Sequence, residues 1–315
     1  MSQLNNLAIS VRSVKKSFQN KAILKGVDIE VEKGSIYALL GSNGAGKTTL
    51  IKIMTTLLKQ DSGQVIIGGY DISKEPLKAK KTFSLTGQFA ATDEALTGRN
   101  NLQIIGELHH LKEINKRIDE LLLAFDLKDV ENKPVSTYSG GMRRRIDIAM
   151  SIMSKPSIIF LDEPTTGLDP QNRSAMWDLI KSLANSGTTI FLTTQYLEEA
   201  EVLADYVAIL NNGVIVKKGT PAELKKALPQ GVIEFTFQND NDLASSKMLL
   251  HQFKQIEDDE NLTLTVVTDG SMEHLLSVFN LLNNKKIKTS SFTQKLPSLE
   301  DVFYTIINET GEGVI

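Results

Sequence analysis

The chain has 315 residues and carries 38 Asp+Glu against 35 Lys+Arg, a net charge of −3. At ~150 residues per domain the length points to two domains, and 41% hydrophobic with 23% charged residues is globular usage that excludes a disordered or fibrous chain. No basic excess favours nucleic acid or anionic lipid, and the absence of Cys excludes disulfides, thiolate chemistry and Cys-based zinc sites, as suits a reducing compartment.

In chain order, residues 27–31 alternate apolar and charged, as a half-buried strand does. Residues 35–40 form a continuous apolar run, the mark of a strand buried on both faces. After a break at 41–46, Leu50, Ile53, Met54, Leu57 and Leu58 follow at helical spacing. Two more helices carry Leu102, Ile105, Leu108 and Leu111, then Ile118, Leu121, Leu122 and Phe125, and a third begins after Gly141. Buried-type strands recur at 157–161 and 188–192, separated by a helix with Trp177, Ile180 and Leu183. Such alternation predicts a mostly parallel sheet covered on both faces. Asn211-Asn212-Gly213 reads as a hairpin turn, and Thr220-Pro221-Ala222-Glu223 opens a short helix. Leu228-Pro229-Gln230-Gly231 is the expected boundary, giving domains 1–230 and 231–315. Beyond it, strands at 232–237, 262–267 and 287–292 alternate with helices at 243–253, 272–283 and after Ser298, a small α+β module. The most apolar stretches are strand length, short of the ~20 residues a spanning helix needs, and residues 1–6 show no secretory signal. A cytoplasmic location is expected.

Gly41-Ser42-Asn43-Gly44-Ala45-Gly46-Lys47-Thr48 fits G-x-x-x-x-G-K-[ST] between a predicted strand and helix. Its glycines let backbone N–H groups converge on phosphate oxygens, and the helix N-terminus adds a positive dipole end. Lys47 can reach the β/γ-phosphates and Thr48 can ligate Mg²⁺, with Thr49 completing the candidate nucleotide-binding set. Residues 157–163 are an apolar strand ending in two acids. Asp162 suits a Mg²⁺ contact and Glu163 can polarise an attacking water. Ser139-Gly140-Gly141 exposes N–H groups at another helix start, able to meet a second phosphate face. Arg143–Arg145 reads as a solvated face or an interface, and His109-His110 as a structural or surface pair without metal-ligand spacing.

With these motifs in this order, the sequence resembles the ATP-binding subunits of ABC transporters over residues 7–225. Tyr138-Ser139-Gly140-Gly141-Met142 is similar to the family's Leu-Ser-Gly-Gly-Gln signature, which implies that Ser139 and Gly141 contact the γ-phosphate held by an opposite subunit. Thr86-Gly87-Gln88 takes the Q-loop position, implying that Gln88 contacts Mg²⁺ and water. Leu168-Asp169 matches the D-loop, implying a role for Asp169 across a dimer interface. Phe18 lies where the family has an adenine-stacking aromatic. Gln195 stands where a γ-phosphate-contacting histidine is usual; an amide donates a hydrogen bond but cannot become cationic. The segments at 86–90, 138–145, 193–200 and 296–303 together resemble the daunorubicin-resistance type of ABC ATPase, where Gln at this position is usual.

The resemblance implies an α/β fold: a P-loop ATPase core of mostly parallel sheet, an antiparallel β subdomain and a helical subdomain, plus the small C-terminal α+β domain. It implies ATP and Mg²⁺ as cofactors and catalysis by Glu163, Lys47, Gln88 and Gln195. It also implies a homodimer and a separately encoded membrane permease, at the inner face of the membrane, exporting a small molecule, lipid or polysaccharide. The rivals are a soluble ABC ATPase of ribosomes or DNA and a weakly hydrolysing regulatory module. The first is disfavoured by a single cassette and by an interval from Lys47 to Ser139 too short for long coiled coils.

Overall fold

The computed structural model describes residues 6–87, 91–226, 231–295 and 298–303. It divides into two compact units between Pro221 and Ala222, ahead of the expected Leu228–Gly231 boundary, of which residues 228–230 lie outside the described residues.

The first unit opens with a hairpin, β1 (Leu7–Phe18) and β2 (Lys21–Glu32), followed by β3 (Ile36–Leu40) and α1 (Lys47–Met54). Next come β4 (Ser62–Ile67), β5 (Tyr70–Asp71), α2 (Pro76–Lys80) and β6 (Phe83–Thr86). Three helices follow, α3 (Gly98–Leu108), α4 (Ile114–Ala124) and α5 (Gly140–Ser151). Leu111 and Phe125 fall just beyond the helices that their spacing suggested. The unit continues through β7 (Ile158–Asp162), α6 (Pro170–Asn185), β8 (Thr189–Thr194) and α7 (Leu197–Leu203) to a hairpin, β9 (Tyr206–Asn211) and β10 (Val214–Gly219). The short α8 (Pro221–Lys226) starts at the division.

Two sheets result. The six-stranded sheet runs β10-β9-β3-β8-β7-β6, parallel except for the β9–β10 hairpin. Every residue of β3, β7 and β8 is buried, which is why these segments read as unbroken apolar runs. Tyr37 stacks on Phe191 and Tyr206 across neighbouring strands. The second sheet, β2-β1-β4-β5, is the expected antiparallel subdomain. Its Ile9, Val11, Val27, Ile29, Val65 and Ile67 share one core with Leu50 and Ile53 of α1. In the helical part, Arg99 on α3 donates to Glu131 Oε2 at 2.7 Å and pairs with Asp119 of α4, fastening the helices at their solvent side.

The second unit contains β11 (Gly231–Phe237), α9 (Asp240–Leu249), β12 (Lys254–Asp258), β13 (Thr263–Thr268), α10 (Met272–Asn284) and β14 (Thr289–Lys295). Residues 299–303 are helical, as expected after Ser298. The antiparallel order β12-β13-β11-β14 is a split β-α-β arrangement. Ile233, Phe235, Leu264, Val266, Val278 and Leu282 form its core. Two expectations change here. The helix expected over 243–253 ends at Leu249, because residues 254–258 pair with β13 as an edge strand. The last strand lies at Thr289–Lys295 rather than 287–292. Both strands are mostly exposed edges and carry little apolar alternation to reveal them.

Candidate nucleotide site

Four loops of the first unit leave the carboxyl ends of adjacent parallel strands, the place where open α/β sheets bind ligands. Gly41 follows β3, Glu163 follows β7, Gly87 follows β6 and Gln195 follows β8. The registers Leu40↔Thr194, Asp162↔Thr193 and Thr86↔Leu161 put these ends level. Gly41 N donates to Thr194 O, so the phosphate loop and the Gln195 turn begin side by side.

The loop from Gly41 to Gly46 has its shape for steric reasons. A Cβ on Gly41 would stand 2.5 Å from Leu210 O and 3.2 Å from Ala45 Cβ. Gly46, at φ +111°, lies under Leu24 Cδ2 and caps α1 from the left-handed region. Ser42, Asn43 and Gly44 are exposed, while Ala45, Gly46 and Lys47 are buried. Thr48 and Thr49 occupy the first turn of α1, where backbone N–H groups have no partner within the helix. Lys47 is 4% exposed and donates from Nζ to Gly41 O at 2.8 Å and Ser42 O at 3.2 Å. It also stands 3.4 Å from Glu163 Oε1, so two of the four catalytic residues expected from the sequence meet in one ion pair.

Glu163 adopts φ +50°, unusual for a residue with a side chain. Its N–H donates to Thr193 O at 3.1 Å and Thr193 Oγ1 at 3.2 Å, and Thr166 Oγ1 donates to its Oε2. Thr193 Oγ1 in turn donates to Asp162 Oδ1 at 2.5 Å, holding a carboxylate that is 5% exposed. Sequence reasoning missed Thr193. A pair of threonines ending an apolar strand beside two acids was the available signal.

Ser139 caps α5 by accepting from Met142 N, while Gly140 faces open space. Gly141 has an internal reason to be glycine, since a Cβ there would meet Asn172 Oδ1 at 2.3 Å. Asn172 donates to Asp169, which caps α6 and is held below the usual carboxylate range by the Asn172 backbone N–H first and its side-chain amide second. The signature and D-loop residues are thus neighbours within one chain. Phe18 is 46% exposed at the tip of the β1–β2 hairpin, with Lys16 Nζ 5.5 Å from its ring centroid. Gln195 is half-buried, and Gln88 lies outside the described residues.

Arg143–Arg145 need correction as a solvated run. Arg144 is 9% exposed, since the spacing from Gly141 turns it onto the buried face of α5. Burial pulls its pKa down and pushes that of its neighbour Asp147 up. Arg145 donates to Phe125 O at 3.2 Å, and Arg143 to Tyr138 O at 3.1 Å. His109 and His110 are exposed at the end of α3. Glu199 of α7 was also missed. It is fully buried, accepts from Thr165 Oγ1 at 2.8 Å and Trp177 Nε1 at 3.3 Å, and desolvation raises its pKa.

A strand–loop–helix phosphate cradle whose lysine meets an acid from the end of a neighbouring strand defines a P-loop ATPase. Comparison with known proteins narrows the class. The ABC transporter family profile matches residues 24–166, and that of the DrrA1-3-like ATP-binding protein C-terminal domain matches residues 219–307. The daunorubicin resistance ATP-binding protein DrrA3 of Streptomyces coeruleorubidus is 41% identical over 94% of both chains. The linearmycin resistance ATP-binding protein LnrL of Bacillus subtilis is 32% identical over 96% of this chain and 99% of its own. A solved ATP-binding subunit of an ABC transporter superposes with TM-score 0.63 at 28% identity, covering 70% of this chain and 92% of that one. The chain belongs to the ABC transporter ATP-binding family, in its DrrA-like branch. It is an ATPase that powers transport, and among the described residues no helix is long and apolar enough to cross a membrane.

Two outcomes follow from this geometry. Gly41→Ala drives a methyl into the Leu210 carbonyl of a buried sheet and should weaken binding of a fluorescent ATP analogue by about tenfold or more, the cost of one misplaced wall of the cradle. Because the Glu199 pKa is raised in the fold, its contribution to stability is full below the ordinary 4.5 and is lost as pH rises through the raised value. Glu199→Gln should therefore gain in melting temperature over wild type as pH goes from about 5 to about 8, by some 2–4 °C per kcal/mol recovered. A difference that stays constant with pH would contradict it.

Proposed function

We propose that two copies of this chain close around two ATP molecules and drive export through a separately encoded membrane permease, at the inner face of the cell membrane. Residues 1–230 serve as the nucleotide-binding domain and 231–315 as an accessory domain. The observation that carries this reading is the ion pair between buried Lys47 and half-buried Glu163, which ties the phosphate loop to the acid beyond β7. Phosphate oxygens entering the loop offer Lys47 a second anionic partner. Backbone N–H groups of residues 42–49 and the α1 terminus then hold the phosphates. Glu163, relieved of its lysine, accepts a proton from the attacking water, its carboxylate aimed by Thr166 and its backbone by Thr193.

Thr48 and Asp162 present a hydroxyl and a carboxylate at the same end of the sheet, hard oxygen donors that suit Mg²⁺, and Gln88 is the third residue assigned to the ion. When bound, the ion neutralises charge on the β- and γ-phosphates. Ser139, Gly140 and Gly141, at the open start of α5, meet the γ-phosphate held by the other copy, and Asp169 lines the same interface. Phe18, half-exposed at its hairpin tip, stacks on adenine, a contact that any aromatic face supports. Gln195 donates its amide to the γ-phosphate.

The relatives are named for resistance to daunorubicin, doxorubicin and linearmycin and, in Ralstonia nicotianae, for Nod factor export. That breadth supports a cargo of small molecule, lipid or polysaccharide chosen by the permease. Glu163→Gln should lower ATP turnover by about 10²-fold or more while leaving ATP affinity within about threefold, as removal of a positioned base does. Unchanged turnover would remove Glu163 from the mechanism. Affinity purification from membranes should recover a multi-span partner; recovery of ribosomes or nucleic acid instead would overturn the transport assignment.

A further inference from the structure

We propose that Arg144 is the positioning residue for Glu163, and the link by which the start of α5 reaches the hydrolytic end of β7. The inference rests on reading Glu163 as the base that activates water. Arg144 Nη2 donates to Asp162 O at 3.2 Å and Nε to Pro164 O at 3.0 Å, the carbonyls immediately before and after Glu163. Its Nη1 donates to Gly87 O at 2.6 Å, at the exit of β6, and lies 3.4 Å from Asp147 Oδ2. Asp147 Oδ1 accepts from Ala91 N at 2.9 Å, so its second oxygen is also committed.

One guanidinium therefore spans the ends of two parallel strands from a third element. The reason it is needed lies in the backbone between its two flanking bonds. Glu163 sits at φ +50°, and a left-handed residue with a Cβ persists only where its surroundings over-determine it. Thr193 holds the Glu163 N–H from β8, and Arg144 holds the carbonyls on either side. The Glu163 carboxylate, aimed at Lys47 and Thr166, inherits its direction from that pinned turn. Arg144 lies one turn beyond Gly141, on the helix whose exposed start carries Ser139 and Gly140. A push on that start is delivered through a stiff helix to the turn bearing Glu163. The role needs the planar five-donor fork, because a lysine ammonium cannot reach three separated carbonyls at once.

The test is Arg144→Lys in the full-length protein, which keeps a cation beside Asp147. We expect kcat for ATP hydrolysis to fall about 10- to 100-fold, the cost of a displaced catalytic group, with KM and fluorescent-ATP affinity within about threefold and cooperative unfolding kept at a melting temperature lowered by the lost carbonyl bonds. In a Glu163→Gln background the same substitution should lower the residual rate no further, because Arg144 acts through Glu163. Unchanged kcat, a parallel loss of ATP binding, or an equal loss in both backgrounds would each overturn the role of Arg144 and leave that of Glu163 standing. Full turnover by Glu163→Gln alone would instead refute the base, and this inference with it. Should the lysine variant fold poorly, Arg144→Gln with Asp147→Asn removes both buried charges together. That pair must show the same kcat loss with ATP binding retained, and full activity in it refutes the proposal.

Discussion

Strands β7, β8 and β3 lie side by side, parallel and buried along their whole length. Parallel strands need cover on both faces, so their side chains are committed to packing and the chain is free to do chemistry only where the strands end. Level registers then bring the loops after β3, β6, β7 and β8 to one edge. The cradle, the acids and the turn at Gln195 are consequences of that edge. Distances between them are set by strand spacing, which a stiff sheet keeps constant.

At this edge the protein concentrates charge under low exposure. Lys47 is 4% exposed and Asp162 5%. Each has a fixed partner: Lys47 has carbonyls and Glu163, and Asp162 has Thr193. Buried ions without such partners would be costly, and a half-satisfied network would cost more than an apolar one. Arg144 and Asp147 extend the same logic to α5, where a buried cation is balanced by one carboxylate and by backbone oxygens.

The sequence disclosed most of what depends on local periodicity and on fixed motif spacing. The buried strands were visible as apolar runs, α5 as a helix after Gly141, and the phosphate loop by its glycines. Edge strands were not visible: β12 reads Lys254-Gln255-Ile256-Glu257-Asp258, and only pairing with β13 makes it a strand. Inside the site, the residues proposed to touch phosphate could be found from motifs, but those that hold them could not. Thr193, Arg144 and Glu199 act on partners far away in sequence, and a charge run looks solvated until the helix phase is known. Gly141 shows the opposite case, where a residue explained by a motif proves to have a steric reason too.

Trp177 is the chain's single tryptophan, and its indole N–H points at the buried carboxylate of Glu199. Glu199 also receives the hydroxyl of Thr165, two residues past Glu163, and its helix follows Gln195 directly. Indole emission is sensitive to the hydrogen-bond partner of its N–H, so the protein carries its own optical gauge. A shift in its ultraviolet fluorescence reports movement between the turns after β7 and β8 without any attached dye.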